Sequence, residues 1–348
     1  MRQLQCPRCR ERVFFEQTQC RSCGSRILFE AAESRFRLLD GAIPCSNRTS
    51  IGCNWVADPD HIFCASCRLT RTTPHRGIPA NIILWRRVEQ AKRRLVYDLE
   101  RLQLPWCGNN RRRVVFDILS EGESSLPVIT GHLNGVITLS LSEADDAERE
   151  LRRSQFREPY RTLLGHFRHE IGHFYWDTLV KQTKLHAPFR LIFGDERQSY
   201  EALLQAYHAR TDYSYDRRGF ISEYATSHPW EDWAETFAHF LHIVSTLETA
   251  SELRFSPAHP RDQLSIDPFL ESDFEALLYA WTNVTYTMNE LNRSMGLGDG
   301  YPFEISSAAR GKLHFVHMAI LSFRKAQQSK AEEMSLANPT GTSLQPSQ

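Results

Sequence analysis

The chain has 348 residues, 41% of them hydrophobic and 24% charged, with 42 basic and 42 acidic side chains. This balance fits an ordinary folded protein and argues against a disordered or fibrous one. No apolar run approaches the roughly 18 residues that a bilayer span requires.

The zero net charge is laid out unevenly. Residues 1–113 hold 21 Lys and Arg against 10 Asp and Glu, a net of +11, and the remainder holds 21 against 32, a net of −11. Such asymmetry fits either a nucleic-acid-facing part or two regions that attract each other. The scattered placement of the cations favours the second. The opening MRQLQCPRCR lacks an apolar segment of signal-peptide type, so a cytoplasmic protein is expected.

Eight of the nine cysteines fall within residues 1–67, in two sets of four. Cys6, Cys9, Cys20 and Cys23 form C-x2-C-x10-C-x2-C, and Cys45, Cys53, Cys64 and Cys67 form C-x7-C-x10-C-x2-C. A two-residue gap lets both thiolates of one turn reach a tetrahedral zinc, so each quartet is expected to close around one structural Zn2+ with no open position. Four disulfides would need an oxidising compartment and suit the C-x2-C pairs less well. Cys107 stands alone and is expected to be a buried structural residue.

Residues 71–80 are polar, with two prolines, and read as a linker. From 81 to 104, apolar residues at 84, 88, 91, 95, 99 and 102 give one helical face. The β-branched runs at 112–119 and 135–141 predict strands. SEADDAERELRRSQF predicts a helix capped by Ser142. Pro159 is expected to start the next helix, EPYRTLLGHFRHEIGHFYWDTLV. Residues 228–247 predict another, two more are expected near 270–295 and 304–327, and 328–348 reads as a disordered tail.

The fifth of these segments carries HEIGH. On a helix, His169 and His173 share a face and can grip one metal ion, and Glu170 is placed to act as general base. A catalytic zinc takes three protein ligands and keeps one position open. His166 lies on the same face but is expected to be structural, since a fourth ligand would close that position. The third ligand must come from elsewhere, and WEDWAE offers Glu231 and Glu235, one helical turn apart. His239, His242 and Asp177 read as packing, supporting or surface groups.

Over roughly residues 1–325 the chain resembles a family of bacterial zinc-binding metallopeptidases that join an N-terminal zinc ribbon to a gluzincin-like domain. The resemblance rests on the two cysteine quartets, GHLNGVITL, EPYRTLLGHFRHEIGHFYWD, LIFGDE, EYATSHPWEDWAETFAHFL and GLGDGYPF. It implies an α+β fold: a double zinc-ribbon region (1–70), the linker, and a mostly helical zincin-like domain with a small β-sheet (81–327). It also implies one catalytic and two structural zinc ions.

In gluzincins the ligand Glu precedes, by four residues, an acid that supports a zinc-bound histidine. This order implies Glu231 as ligand and Glu235 as support; the reverse stays open. The segment EYATSHPWEDWAE is similar to lethal-factor-type gluzincins, in which a tyrosine seven residues before the ligand Glu faces the metal. Tyr224 holds that place. The implied activity is peptide-bond hydrolysis with Glu170 as base and Tyr224 stabilising the oxyanion. The strand 135–141 would hold the substrate at a sheet edge, and the ribbons would recruit a substrate or partner. The rival reading is a ribbon protein that binds nucleic acid or another protein and carries a weak or inactive peptidase-like domain.

Overall fold

The computed structural model describes residues 1–106, 108, 113–121, 128, 130–156, 162–210, 216–255 and 267–337. Cys107 and Pro159 lie outside them.

The first element is a hairpin of β1 (Ile27–Glu30) and β2 (Arg35–Leu38), followed by the short helix α1 (Arg48–Ile51). Next come β3 (Thr70–Thr72), the long helix α2 (Pro79–Arg101), β4 (Val115–Leu119), β5 (Gly131–Leu133) and β6 (Val136–Ser140). Among the described residues seven α-helices follow: α3 (Asp146–Phe156), α4 (Leu163–Tyr175), α5 (His186–Phe193), α6 (Tyr200–His208), α7 (Pro229–Glu252), α8 (Phe274–Ser294) and α9 (Ser307–Ala337). Among the described residues, no helix is long and apolar enough to cross a membrane.

The cysteine turns are tight. Arg10 N–H donates to the Cys6 carbonyl at 2.9 Å and Gly24 N–H to the Cys20 carbonyl at 3.0 Å. Gly24 takes φ +71°, a left-handed value that a side chain disfavours. The ribbon region has no separate core. Phe15 packs on Phe29 (ring centroids 4.8 Å apart) and on Tyr97 of α2 (5.6 Å), and Tyr97 packs in turn on Phe269 at 6.4 Å. The Tyr97 hydroxyl donates to Glu248 of α7 at 2.8 Å, and Arg101 reaches the same carboxylate at 2.9 Å. The two oppositely charged parts of the sequence therefore meet in one interior. Arg94 with Glu16, and Arg71 with Asp117, bind further basic residues internally.

The larger sheet has the order β3-β4-β6-β5. β3, β4 and β6 run parallel, and β5 pairs antiparallel with β6. The expected edge strand, 135–141, is thus interior. Among the described residues the edges are β3 and β5, the latter a three-residue strand joined to β6 through Asn134 and Gly135, both at positive φ. This Asn-Gly pair is the turn that a two-residue hairpin favours.

α4 lies on the sheet through Phe167 against Phe116 at 5.6 Å. Its other side meets α7. The Trp233 indole donates to the Gly172 carbonyl at 2.8 Å, and Tyr175 stacks on Phe237 at 5.4 Å. α2 anchors α4 from a third direction, with Arg168 donating to Asp98 at 2.6 Å and its guanidinium lying 2.5 Å from His242 Nδ1.

Local chemistry accounts for the departures from expectation. Asp145, not Ser142, caps α3: its carboxylate accepts from the N–H groups of Ala147 and Glu148, while Ser142 bonds Ser140 and Glu121. α4 starts at Leu163, where the Thr162 hydroxyl accepts the Gly165 N–H at 2.9 Å. α5 and α6 escape the periodicity argument. The first is eight residues long with Pro188 in its opening turn, and the second buries no residue. β3 and the start of α2 occupy part of the expected linker, and α9 continues as helix through Ala337, past the expected boundary at 327.

At Gly172 a Cβ would lie 3.0 Å from Ala234 Cα, 3.2 Å from its carbonyl oxygen and 3.3 Å from Phe237 Cβ. Helix propensity alone would make Gly172→Ala stabilising by about 1 kcal/mol. Backbone at 3.0 Å cannot rotate aside, so overpacking should prevail and destabilise by about 1–3 kcal/mol. Urea unfolding of the variant decides the sign, and a rise in stability would show that α4 and α7 are not held at this contact.

Candidate metal centres

Each cysteine quartet gathers its sulfurs as a metal site would. All eight cysteines are free of disulfides. Four sulfurs about 2.3 Å from a central zinc lie about 3.8 Å from one another. Cys6–Cys23 and Cys9–Cys20 are 3.7 Å apart, and in the second quartet Cys53 lies 3.7 Å from Cys64 and 3.8 Å from Cys67. The second quartet is buried throughout. Arg93 of α2 is buried beside it; burial would lower its pKa, but the charges of Cys53, Glu89, Cys67 and Cys64 raise it. Thiolate charge that would be costly to bury thus meets a guanidinium supplied by the larger domain.

The third cluster joins α4 to α7. His169, His173 and Glu231 offer three ligand atoms within 4.8 Å of one another. Glu231 Oε2 is 2.9 Å from His169 Nε2 and 3.4 Å from His173 Nε2. Nitrogen and oxygen donors about 2.0–2.1 Å from a tetrahedral zinc would stand about 3.3 Å apart, so the set fits that ion. The helical repeat puts both histidines on one face of α4, and the Gly172 contact brings that face against the first turn of α7.

The glutamates divide by geometry. Glu231 points between the two Nε2 atoms. Glu235 accepts from His169 Nδ1 at 2.7 Å, and its other oxygen accepts the Ser222 hydroxyl at 2.6 Å. The His169 ring is therefore held with Nε2 toward the cluster, the usual arrangement behind a metal-binding histidine.

The same contacts set the charges of these groups. Burial would lower the His169 pKa, yet bonds to Glu231 and Glu235 hold it well above its ordinary value. Burial would raise Glu231, but His173 and His169 hold it well below the carboxylate range. Glu235, also opposed by burial, is brought to about 2 by His169.

Glu170 is buried, and its Oε2 has no hydrogen-bond partner among the described residues. An isolated buried carboxylate oxygen is costly, so it calls for a group that the fold itself does not supply. The Tyr224 ring centroid lies 5.7 Å from that of His169. The His173 ring is packed by Trp230 at 4.0 Å and by His132 of β5 at 6.2 Å.

The other named residues lie apart. His166 pairs with Glu143 at 3.2 Å, His239 with the Tyr301 hydroxyl at 2.8 Å, and Asp177 with Lys181 at 2.8 Å. Sequence reasoning missed Tyr200, Ser222, Trp230 and His132. Trp230 at least sits inside the motif that carries Glu231; the others have no spacing that marks them.

Two family models match. The one described as "Putative zinc-binding metallo-peptidase" covers residues 81–319, and a zinc-ribbon domain covers residues 3–44. The chain belongs to this zinc-binding metallo-peptidase family, with an N-terminal zinc ribbon. Uncharacterized proteins of Mycobacterium tuberculosis and Mycobacterium bovis are 38% identical to it over 330 residues, covering 92% of this chain and 95% of theirs. No solved structure matches it. The ribbon match contains the first cysteine quartet; the second follows it.

The two glutamates should separate in a zinc count on the full chain. Glu231→Ala is expected to lose about one zinc per molecule, because two histidines alone hold the ion poorly. Glu235→Ala should keep its zinc under replete conditions, with affinity weakened about 10–100-fold. Elemental analysis giving the opposite pattern would exchange the two roles.

Proposed function

We propose that the chain is a zinc-dependent metallopeptidase of the HExxH gluzincin type, with His169, His173 and Glu231 as ligands and Glu170 as general base. The observation that carries this reading is the convergence of two Nε2 atoms and one carboxylate oxygen beside a buried glutamate with an unpaired oxygen. A zinc ion held there would acidify a water molecule and polarise the scissile carbonyl.

Glu170 takes the proton of the attacking water and delivers it to the leaving amine. Glu235 and Ser222 keep the His169 ring from rotating. Tyr224 donates to the oxyanion as the carbonyl becomes tetrahedral. The exposed side of β5 receives the extended substrate backbone by strand addition, with His132 placing that edge beside His173. The ribbons offer Phe14, Ile43 and Ile62, all well exposed, as a surface for recruiting substrate or partner.

The basic first third gives less support to nucleic-acid binding. Arg71, Arg93, Arg94 and Arg101 face Asp117, the second cysteine quartet, Glu16 and Glu248 within the molecule.

Glu170→Gln removes the base and no ligand. It should retain its zinc and cleave about 10²–10⁴-fold more slowly. New protein N-termini in a cell lysate treated with the zinc-loaded wild type, and missing with the variant, are the expected result. Equal cleavage by both proteins would refute Glu170 as the base.

A further inference from the structure

Glu231 has two oxygens, and the fold treats them differently. Oε2 faces both histidine Nε2 atoms, at 2.9 and 3.4 Å. Oε1 accepts the hydroxyl of Tyr200 at 2.7 Å. Tyr200 is the first residue of α6, a helix that buries none of its own side chains. It is fixed by its neighbours: the ring lies 5.2 Å from His228, which caps α7, and 6.0 Å from Trp230. At the far end of the helix, Tyr207 packs on Tyr224 at 5.7 Å.

We propose that Tyr200 is a positioning residue for the metal centre: by holding Oε1 it presents Glu231 to zinc through Oε2 alone, and it ties the docking of α6 to metal occupancy. This rests on Glu231 being a ligand.

The physical reasoning has two parts. A carboxylate free at both oxygens can rotate and offer either or both to the ion, which would occupy the position kept for water. A hydrogen bond to the distal oxygen removes that freedom, as a supporting partner does for a ligand histidine. The coupling is reciprocal. A metal that fixes Glu231 presents a fixed acceptor to Tyr200, and a docked α6 presents a pre-oriented ligand to the metal. The bond from Tyr200 to Glu231 is the link from α6 to the histidine cluster that the hydroxyl alone supplies.

Tyr200→Phe removes the hydroxyl and keeps the ring, and Tyr200 is partly exposed on a surface helix, so the fold should be retained. The full chain is titrated with zinc against a competing chelator, and amide hydrogen exchange across residues 200–208 is followed with and without zinc. The wild type should show slower α6 exchange when zinc is bound. In Tyr200→Phe that zinc-dependent slowing should vanish, and zinc affinity at the histidine site should fall about 10–100-fold, with the cysteine-bound zinc unchanged. Unchanged affinity, or zinc-dependent protection of α6 that survives in the variant, overturns the proposal. Glu231→Ala is measured alongside. If it still binds zinc at the histidine site, the ligand assignment has failed. If it empties that site while Tyr200→Phe behaves as wild type, the assignment stands and the role of Tyr200 has failed.

Discussion

A methyl group at position 172 would sit 3.0 Å from the Cα of Ala234, so α4 and α7 approach there too closely for a side chain to fit easily between them. That approach sets the spacing of the side chains that α4 and α7 bring to the candidate metal centre. His169 and His173 flank Gly172 on one helix; Glu231 and Glu235 flank Ala234 on the other. Any wider spacing would carry Glu231 Oε2 away from the histidine nitrogens and break the bond from Glu235 to His169. The glycine inside the HEIGH pentad thus shapes the candidate site as much as the histidines beside it.

Buried charge is the second theme. The interior holds many ionisable groups, and several are paired with a group of opposite sign from a different segment. Asp98 on α2 receives Arg168, the residue before His169, at 2.6 Å. Glu248 on α7 gathers Tyr97 and Arg101. Arg93 faces the thiols of the second quartet. Removing one partner of such a pair leaves the other desolvated, which is far more costly than losing an exposed pair. α2 therefore links the cysteine-rich region to the helix that carries the histidines, and the two parts share one interior.

Much of this was legible in the sequence because it is local. His169, Glu170 and His173 are fixed by helical spacing, and the apolar faces of α4 and α7 follow the same period. The C-x2-C knuckles declare themselves by their gaps. What escaped is what depends on residues far apart in the chain. Tyr200 meets Glu231 across 31 positions, and no periodicity marks that pair. β5 is three residues long, too short to show alternation, so β6 was read as the edge. The shared aromatic core of Phe15, Phe29 and Tyr97 comes from three separate segments that no spacing in the sequence joins. The choice between Glu231 and Glu235 lies between these cases: the sequence offers both acids one turn apart, and the fold turns the first between the histidine Nε2 atoms and the second behind His169.

The most direct test of the central claim is a crystal of the zinc-loaded chain measured at the zinc absorption edge. The account predicts an anomalous peak about 2.0–2.1 Å from His169 Nε2, His173 Nε2 and Glu231 Oε2, in addition to one within each cysteine quartet. Peaks at the cysteines alone, or a histidine-bound peak ligated by Glu235 with Glu231 turned away, would contradict it.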